Sequence, residues 1–379
     1  MTLDPTLIAR AFDGDRLRQA RQLAMKTKQA LADSVQVSPA AIGQYESGTT
    51  APRPDLIAPL ACELDVLPEF FTTGRPRGTL KTEAAFFRSL RSTTARQRSR
   101  ATTYTEQLWE LVRAVEEHVQ LPDVALPGFS DGEVVPGSSP ADPVAAAQAL
   151  RRRWRLGSTP IPHMVGLLES KGIVTTIVAD ADDEVARIDA FSTLAFSRPI
   201  VVLSPSRYDD VYRHRFTAAH ELGHLVLHGD RASGDAALER EADKFAAEFL
   251  TPHATIQPEL PTRIDFRMLQ RTSSKWGVSI KSLIYRCREV GYLSEATARR
   301  AFIRLNQMTT QGVFRPEPVK RHPGEVPSML KQAIELAGER GVTIRSLANQ
   351  LAWKPDYLNK MLGLPDERPV LRLVPDNDR

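Results

Sequence analysis

The run His220-Glu221-Leu222-Gly223-His224 sets two imidazoles four residues apart with a carboxylate beside the first. A helix turns about 100° per residue, so His220 and His224 leave one face about one turn apart and can grip a single ion. Glu221 then stands beside a water held on that ion, where it can accept a proton. The ligand types suit Zn2+, and the chemistry is metal-assisted hydrolysis. Such a site takes a third protein ligand and keeps a fourth position open. A glycine and a third histidine at the nearest spacing are excluded, because Leu227 and Asp230 occupy those places. The better source is the amphipathic stretch Leu238 to Pro252, where Leu238, Ala242, Phe245, Ala246 and Phe249 form the buried side. Glu239 and Asp243 share one edge of it, so Glu239 can bind the metal while Asp243 accepts a hydrogen bond from a ligand histidine. Glu241 and Glu248 compete for the ligand role, but helical phase sets Glu241 about 200° from Glu239, which favours Glu239. His228 is a candidate transition-state stabiliser, or alternatively a helix-terminal structural residue.

The elements that must position these groups are legible in outline. Arg215 to Gly229 reads as an apolar helix that breaks at glycine. Upstream, Val144 to Leu156 and Ile161 to Lys171 read as helices, and Gly172 to Val178, Ala186 to Phe196 and Pro199 to Leu203 as strands rich in β-branched residues. The last of these strands is expected to hold an extended substrate by edge pairing.

The first sixty or so residues follow a different pattern. Short apolar stripes, among them Leu17/Ala20/Leu23, Ala30/Leu31/Val35 and Leu56/Leu60/Leu64, imply four or five short helices in a bundle. Thr27 is placed to cap one helix, and Ser38 followed by Pro39 to start the next. The turn between them is a few residues long, which is the helix-turn-helix arrangement. Lys28, Gln29, Ser38, Ala40, Ala41 and Gln44 are the candidate contacts to double-stranded DNA. Gln44 is the good base reader of the set, whereas Ala40 and Ala41 offer only apolar contact to a thymine methyl. A protein-interaction or homodimerisation role is the alternative for such a bundle.

The 379 residues imply two or three domains, and 42% hydrophobic with 25% charged residues fits a globular chain. Met1 to Phe12 lacks a leader pattern and no run reaches the roughly 18 apolar residues of a membrane span, so a cytoplasmic protein with no membrane partner is expected. Cys62 and Cys287 read as small packing residues. Net charge is only +4, but the run from Arg75 to Arg100 is strongly basic and suits a polyanion. Thr82 to Val119 reads as a helical hairpin. Leu121 to Pro143 and Arg315 to Pro327 read as linkers. Beyond them, Ile344 to Leu351 and Asp356 to Leu362 read as two short helices for packing or oligomerisation, with a second helix-turn-helix-like unit as the alternative, and Val370 to Val374 as a further strand. The expected division is therefore 1–74, a helix-turn-helix domain; 75–120, a basic helical connector; 121–143, a linker; 144–314, the metal-bearing domain; 315–327, a linker; and 328–379, a helical C-terminal region.

Two resemblances sharpen this outline. The run Leu17 to Arg21, Thr27 to Ala32, Val37 to Gly48 and Pro52 to Pro54 resembles the Cro/cI-like helix-turn-helix family called XRE. Lys28 and Gln36 depart from it, standing where the family usually has glutamine and glycine. The segment from about Pro160 to Leu293, through Asp189 to Ser192, Arg215 to Gly229 and Glu239-x-x-Ala242-Asp243, is similar to the ImmA/IrrE family of zinc peptidases. That resemblance implies Glu239 as third ligand and a zincin-like α+β metallopeptidase domain; with the all-α N-terminal bundle, the hairpin and the small helical tail read above, the chain is expected to be α+β and mainly α. The resemblance also implies a regulator that cleaves a partner repressor or antitoxin-like protein under stress. The alternative is a transcription factor whose zincin-like domain senses a ligand or partner without proteolysis.

Overall fold

The computed structural model describes residues 3–80, 94–130, 133–135, 137–177, 190–204, 208–229 and 235–364. It is α+β and mainly α. Five short helices open it: α1 (Pro5–Arg10), α2 (Gly14–Leu23), α3 (Lys28–Ser34), α4 (Pro39–Glu46) and α5 (Pro54–Glu63). Asp4, Asp13, Thr27 and Ser38 each cap the helix that follows with a side-chain oxygen, and proline occupies the first turn of α1, α4 and α5. Leu17, Leu31, Ile42, Ile57 and Leu60 meet in a solvent-free core. Gly14 lets α2 lie on the end of α4, since a Cβ there would stand 2.0 Å from the Tyr45 carbonyl oxygen. The turn between α3 and α4 holds Gln36 at φ 56°, a left-handed conformation that costs a non-glycine residue about 1 kcal/mol or more.

Helix α6 (Ala95–Glu116) starts with a capping box between Thr94 and Gln97. It is a single helix. The first arm of the expected hairpin, with Phe86, Phe87 and Leu90, lies outside the described residues. The buried pair Arg16–Glu110, with Nη1 to Oε1 at 2.6 Å, ties α2 to α6. Of the basic run expected to meet a polyanion, Arg75 turns inward. It donates to the carbonyls of Leu351 and Phe70, and burial, with help from the Arg16 charge, lowers its pKa to about 10. Arg77 pairs with Asp15. These two arginines staple the fold and do not present a phosphate-binding face. Lys81, Arg88 and Arg91 lie outside the described residues.

The stretch 121–143 carries more structure than a linker. β1 (Phe129–Ser130) and β2 (Glu133–Val134) pair antiparallel, Leu121 and Leu126 are buried, and the Ala125 N–H donates to the Lys171 carbonyl at 3.0 Å. α7 (Pro143–Arg153) and α8 (Met164–Ser170) follow. The sheet comprises β3 (Val174–Ile177), β4 (Phe191–Thr193) and β5 (Ile200–Leu203) in the order β3-β5-β4, with β5 parallel to β3 and antiparallel to β4. β5 is therefore central, with both edges paired, and the expectation that it binds substrate as an edge strand is overturned. Only the C-terminal part of the strand expected over 186–196 is described, as β4.

Two long helices cross below the sheet, α9 (Val211–Leu227) and α10 (Ala236–Leu250). α11 (His253–Ile256), α12 (Phe266–Trp276), α13 (Ile280–Glu289) and α14 (Glu295–Thr310) complete this layer. Cys287 on α13 is buried, and burial raises its thiol to about 11, whereas Cys62 on α5 is exposed and not a packing residue. The stretch 315–327 forms two 3-10 turns, Val319–Arg321 and Pro323–Glu325. The buried Glu325 carboxylate accepts from the Met164 and Val165 N–H groups at 2.8 and 3.1 Å and ion-pairs with Arg215. This is an anchored strap and not a free connection. α15 (Met329–Gly338), α16 (Ile344–Leu351) and α17 (Pro355–Met361) then return to the N-terminal helices, where Leu330, Ile334, Leu347 and Leu358 join the core of α1 to α6. The strand expected over 370–374 lies outside the described residues. No helix of the described residues is long and apolar enough to cross a membrane.

Candidate metal centre and nucleic-acid face

α9 is capped by Asp210, whose side chain accepts from the Tyr212 and Arg213 N–H groups. Midway along it, Gly223 faces Ala242 of α10. A Cβ on Gly223 would lie 3.2 Å from the Ala242 Cα and 3.1 Å from the Phe245 ring, so the pair of small residues sets how closely the helices approach. That close crossing brings α10 carboxylates to the α9 histidines.

His220 Nε2 and His224 Nε2 are 3.0 Å apart. The Glu239 carboxylate closes the triangle, with Oε2 at 3.3 Å from His220 Nε2 and Oε1 at 3.4 Å from His224 Nε2. One ligand atom from each of the three residues lies within 4.8 Å of the others. Burial alone would raise the Glu239 carboxyl, but hydrogen bonds and charge from His220 and His224 outweigh it and bring the pKa down to about 2. The group is thus an anion, as a metal ligand must be.

The far nitrogen of each imidazole is engaged. His220 Nδ1 meets Asp243 Oδ1 at 2.8 Å. His224 Nδ1 meets His228 Nδ1 at 2.8 Å, and His228 Nε2 meets Glu241 Oε2 at 3.2 Å. Both Nε2 atoms are left for the shared point between the helices, so the donor set fits a zinc ion. His228 sits on the Nδ1 side of His224, away from the three-ligand cluster. Glu241 reaches His228 and not the cluster. Glu248, the other competing carboxylate, is buried elsewhere and bound by Arg286 at 3.1 Å and Gln148 at 2.9 Å.

Glu221, next to His220 on α9, packs against the sheet. It is fully buried, and the Ser192 hydroxyl on β4 donates to its Oε2 at 2.8 Å. The sequence alone assigns Ser192 no role. No local pattern marks it, since β4 is buried at all three of its positions.

On the helix-turn-helix face, Lys28, Gln29, Ala40 and Gln44 are exposed and Ala41 is half-buried. Ser38 spends its hydroxyl on the Ala41 N–H at 3.1 Å as a cap. Gln29 donates to Asp33 at 2.7 Å, and Lys28 Nζ lies 3.2 Å from Glu46, whose carboxylate also holds Arg21. The Lys28 charge is thus partly spent inside the domain, while the Gln44 amide projects from the exposed side of α4.

Comparison with known families gives two matches. Residues 17–71 match the helix-turn-helix family model, and residues 168–288 match the model of the IrrE N-terminal-like domain, a peptidase family. No curated protein matches the chain. The chain carries an XRE-type helix-turn-helix domain and an IrrE-like peptidase-family domain in one polypeptide.

Proposed function

We propose that this protein is a DNA-binding regulator whose IrrE-like domain is a zinc metalloendopeptidase acting on a partner repressor or antitoxin-like protein under stress, in the cytoplasm. The observation that carries this reading is the meeting of His220, His224 and Glu239 beside a buried glutamate. Zinc held by His220, His224 and Glu239 would supply Lewis acidity for the attack of water on a scissile carbonyl. Glu221 takes the proton of the attacking water and later delivers it to the leaving amine. Ser192 holds the Glu221 carboxylate in one orientation through its hydroxyl. Asp243 orients His220, and His228 with Glu241 orients His224, so that each ligand ring keeps Nε2 toward the metal. His228 is in this reading a positioning residue, not a transition-state stabiliser. Among the described residues β4 is an edge of the sheet, and its contact with Glu221 through Ser192 makes it the strand on which an extended substrate would lie. A sensor without proteolysis would need the metal ligands but not a buried base held by a serine, which favours hydrolysis. The reading is tested by incubating the zinc-loaded chain with host repressors and antitoxin-like proteins and looking for new N-termini by mass spectrometry.

DNA binding in this reading rests on α4, with Gln44 reading bases and Lys28 meeting a phosphate. In a shift assay on the promoter of its own gene, Gln44→Ala with Lys28→Ala is expected to weaken binding about tenfold or more. Unchanged binding would move the interface away from this helix pair.

A further inference from the structure

A cavity of about 230 Å³ lies where three parts of the molecule meet: the ends of α2 and α5, the middle of α6, and the junction of α16 with α17. Its walls are aromatic and aliphatic, with Phe70, Tyr104, Trp353 and Tyr357 supplying rings. The backbone around it is unusual. Of the five non-glycine residues with positive φ among those described, Asp65 (54°) and Ala352 (53°) line the cavity, and Met25 (55°) follows Ala24, which also lines it. Strained backbone of this kind clusters at ligand clamps and functional sites.

The polar groups at the cavity divide into spent and unspent. Lys354 is paired with Asp65 and Glu63 with Lys26. Tyr357 donates its hydroxyl to Gln107. Trp353 is 3% exposed, yet its indole N–H has no acceptor among the described residues, whereas a buried indole N–H ordinarily finds one. Lys360, on the rim, makes no ion pair among the described residues. Arg100, also in the wall, is engaged, so the donors left over among the described residues are one N–H in the wall and one cation at the mouth, around a ring-lined interior.

We propose that this cavity binds a small amphipathic organic anion with a flat apolar body, seated against the rings with its charged end toward Lys360 and an acceptor for the Trp353 N–H. Because the walls come from the DNA-reading domain, the connecting helix and the C-terminal region at once, such a ligand braces the tail against the domain that carries α4. The site is remote in sequence and fold from the metal centre and does not depend on the peptidase reading.

The test uses the full chain and 8-anilinonaphthalene-1-sulfonate, an aromatic anion with a flat naphthalene body whose fluorescence rises in apolar surroundings. The wild type is expected to show one saturable site. Trp353→Phe, which keeps the ring and removes the donor, should weaken it about tenfold. Lys360→Gln should weaken it about threefold, and energy transfer from tryptophan to the probe should fall in Trp353→Phe. No saturable site in the wild type, or wild-type affinity in both variants, would overturn the proposal. Should Trp353→Phe melt early, the exposed Lys360→Gln variant decides alone, and unchanged affinity there overturns it.

Discussion

Glu221→Gln is expected to lower peptide-bond hydrolysis by about 10²- to 10⁴-fold while leaving zinc content at the wild-type level. The substitution keeps the size of the side chain and an oxygen for the Ser192 hydroxyl, and removes only the capacity to take a proton. None of the three ligand atoms belongs to Glu221, which faces β4 while His220 and His224 face α10. Cleavage of a partner repressor, followed by gel and by mass spectrometry of new N-termini, should stop in the variant. If the variant cuts as fast as the wild type, the base lies elsewhere. If neither cuts any repressor supplied, the sensor reading gains.

Glu325→Ala is expected to cost about 3–5 kcal/mol of stability, read as a shift of the urea midpoint. The pair Arg215–Glu325 is buried on both sides, with side chains 5% and 2% exposed. Arg215 otherwise donates to the carbonyls of Gly277, Pro162 and Ile161 at 2.8, 3.0 and 2.6 Å. Truncation leaves its cation facing only neutral carbonyls and strips the N-terminus of α8 of the carboxylate that accepts from Met164 and Val165. Exposed pairs give the contrast: Asp55→Ala, which breaks the pair with Arg53, should cost under about 1 kcal/mol. An equal, small effect of both substitutions would mean that the strap from 319 to 325 does not hold α8 and α9 together.

What could be read from the chain divides by range. His220, His224, Glu239 and Asp243 were legible because helical phase is local: each relation spans one helix, and two helices with small residues at their crossing suffice to join them. The caps Thr27 and Ser38, with proline in the first turn after Ser38, were legible for the same reason. Ser192 was not assigned a role, because its bond to Glu221 joins residues 29 apart through the packing of β4 on α9. Glu325 was hidden more deeply, in a proline- and glycine-containing stretch whose composition suggests a linker, with its partner Arg215 110 residues away. For β5, the uninterrupted run Ile200-Val201-Val202-Leu203 is buried at all four positions, which is the mark of a central strand and the clue against an edge role. Arg75 shows the same limit for charge: a basic run in sequence says nothing of which guanidinium turns inward to bind carbonyls.

The most direct test of the metal centre is elemental analysis of the purified full chain. One zinc per chain is expected in the wild type and in Glu221→Gln, with loss of most of it in His220→Ala, His224→Ala and Glu239→Ala. A wild-type chain that takes up no zinc when it is supplied, or ligand variants that retain it in full, would contradict the account.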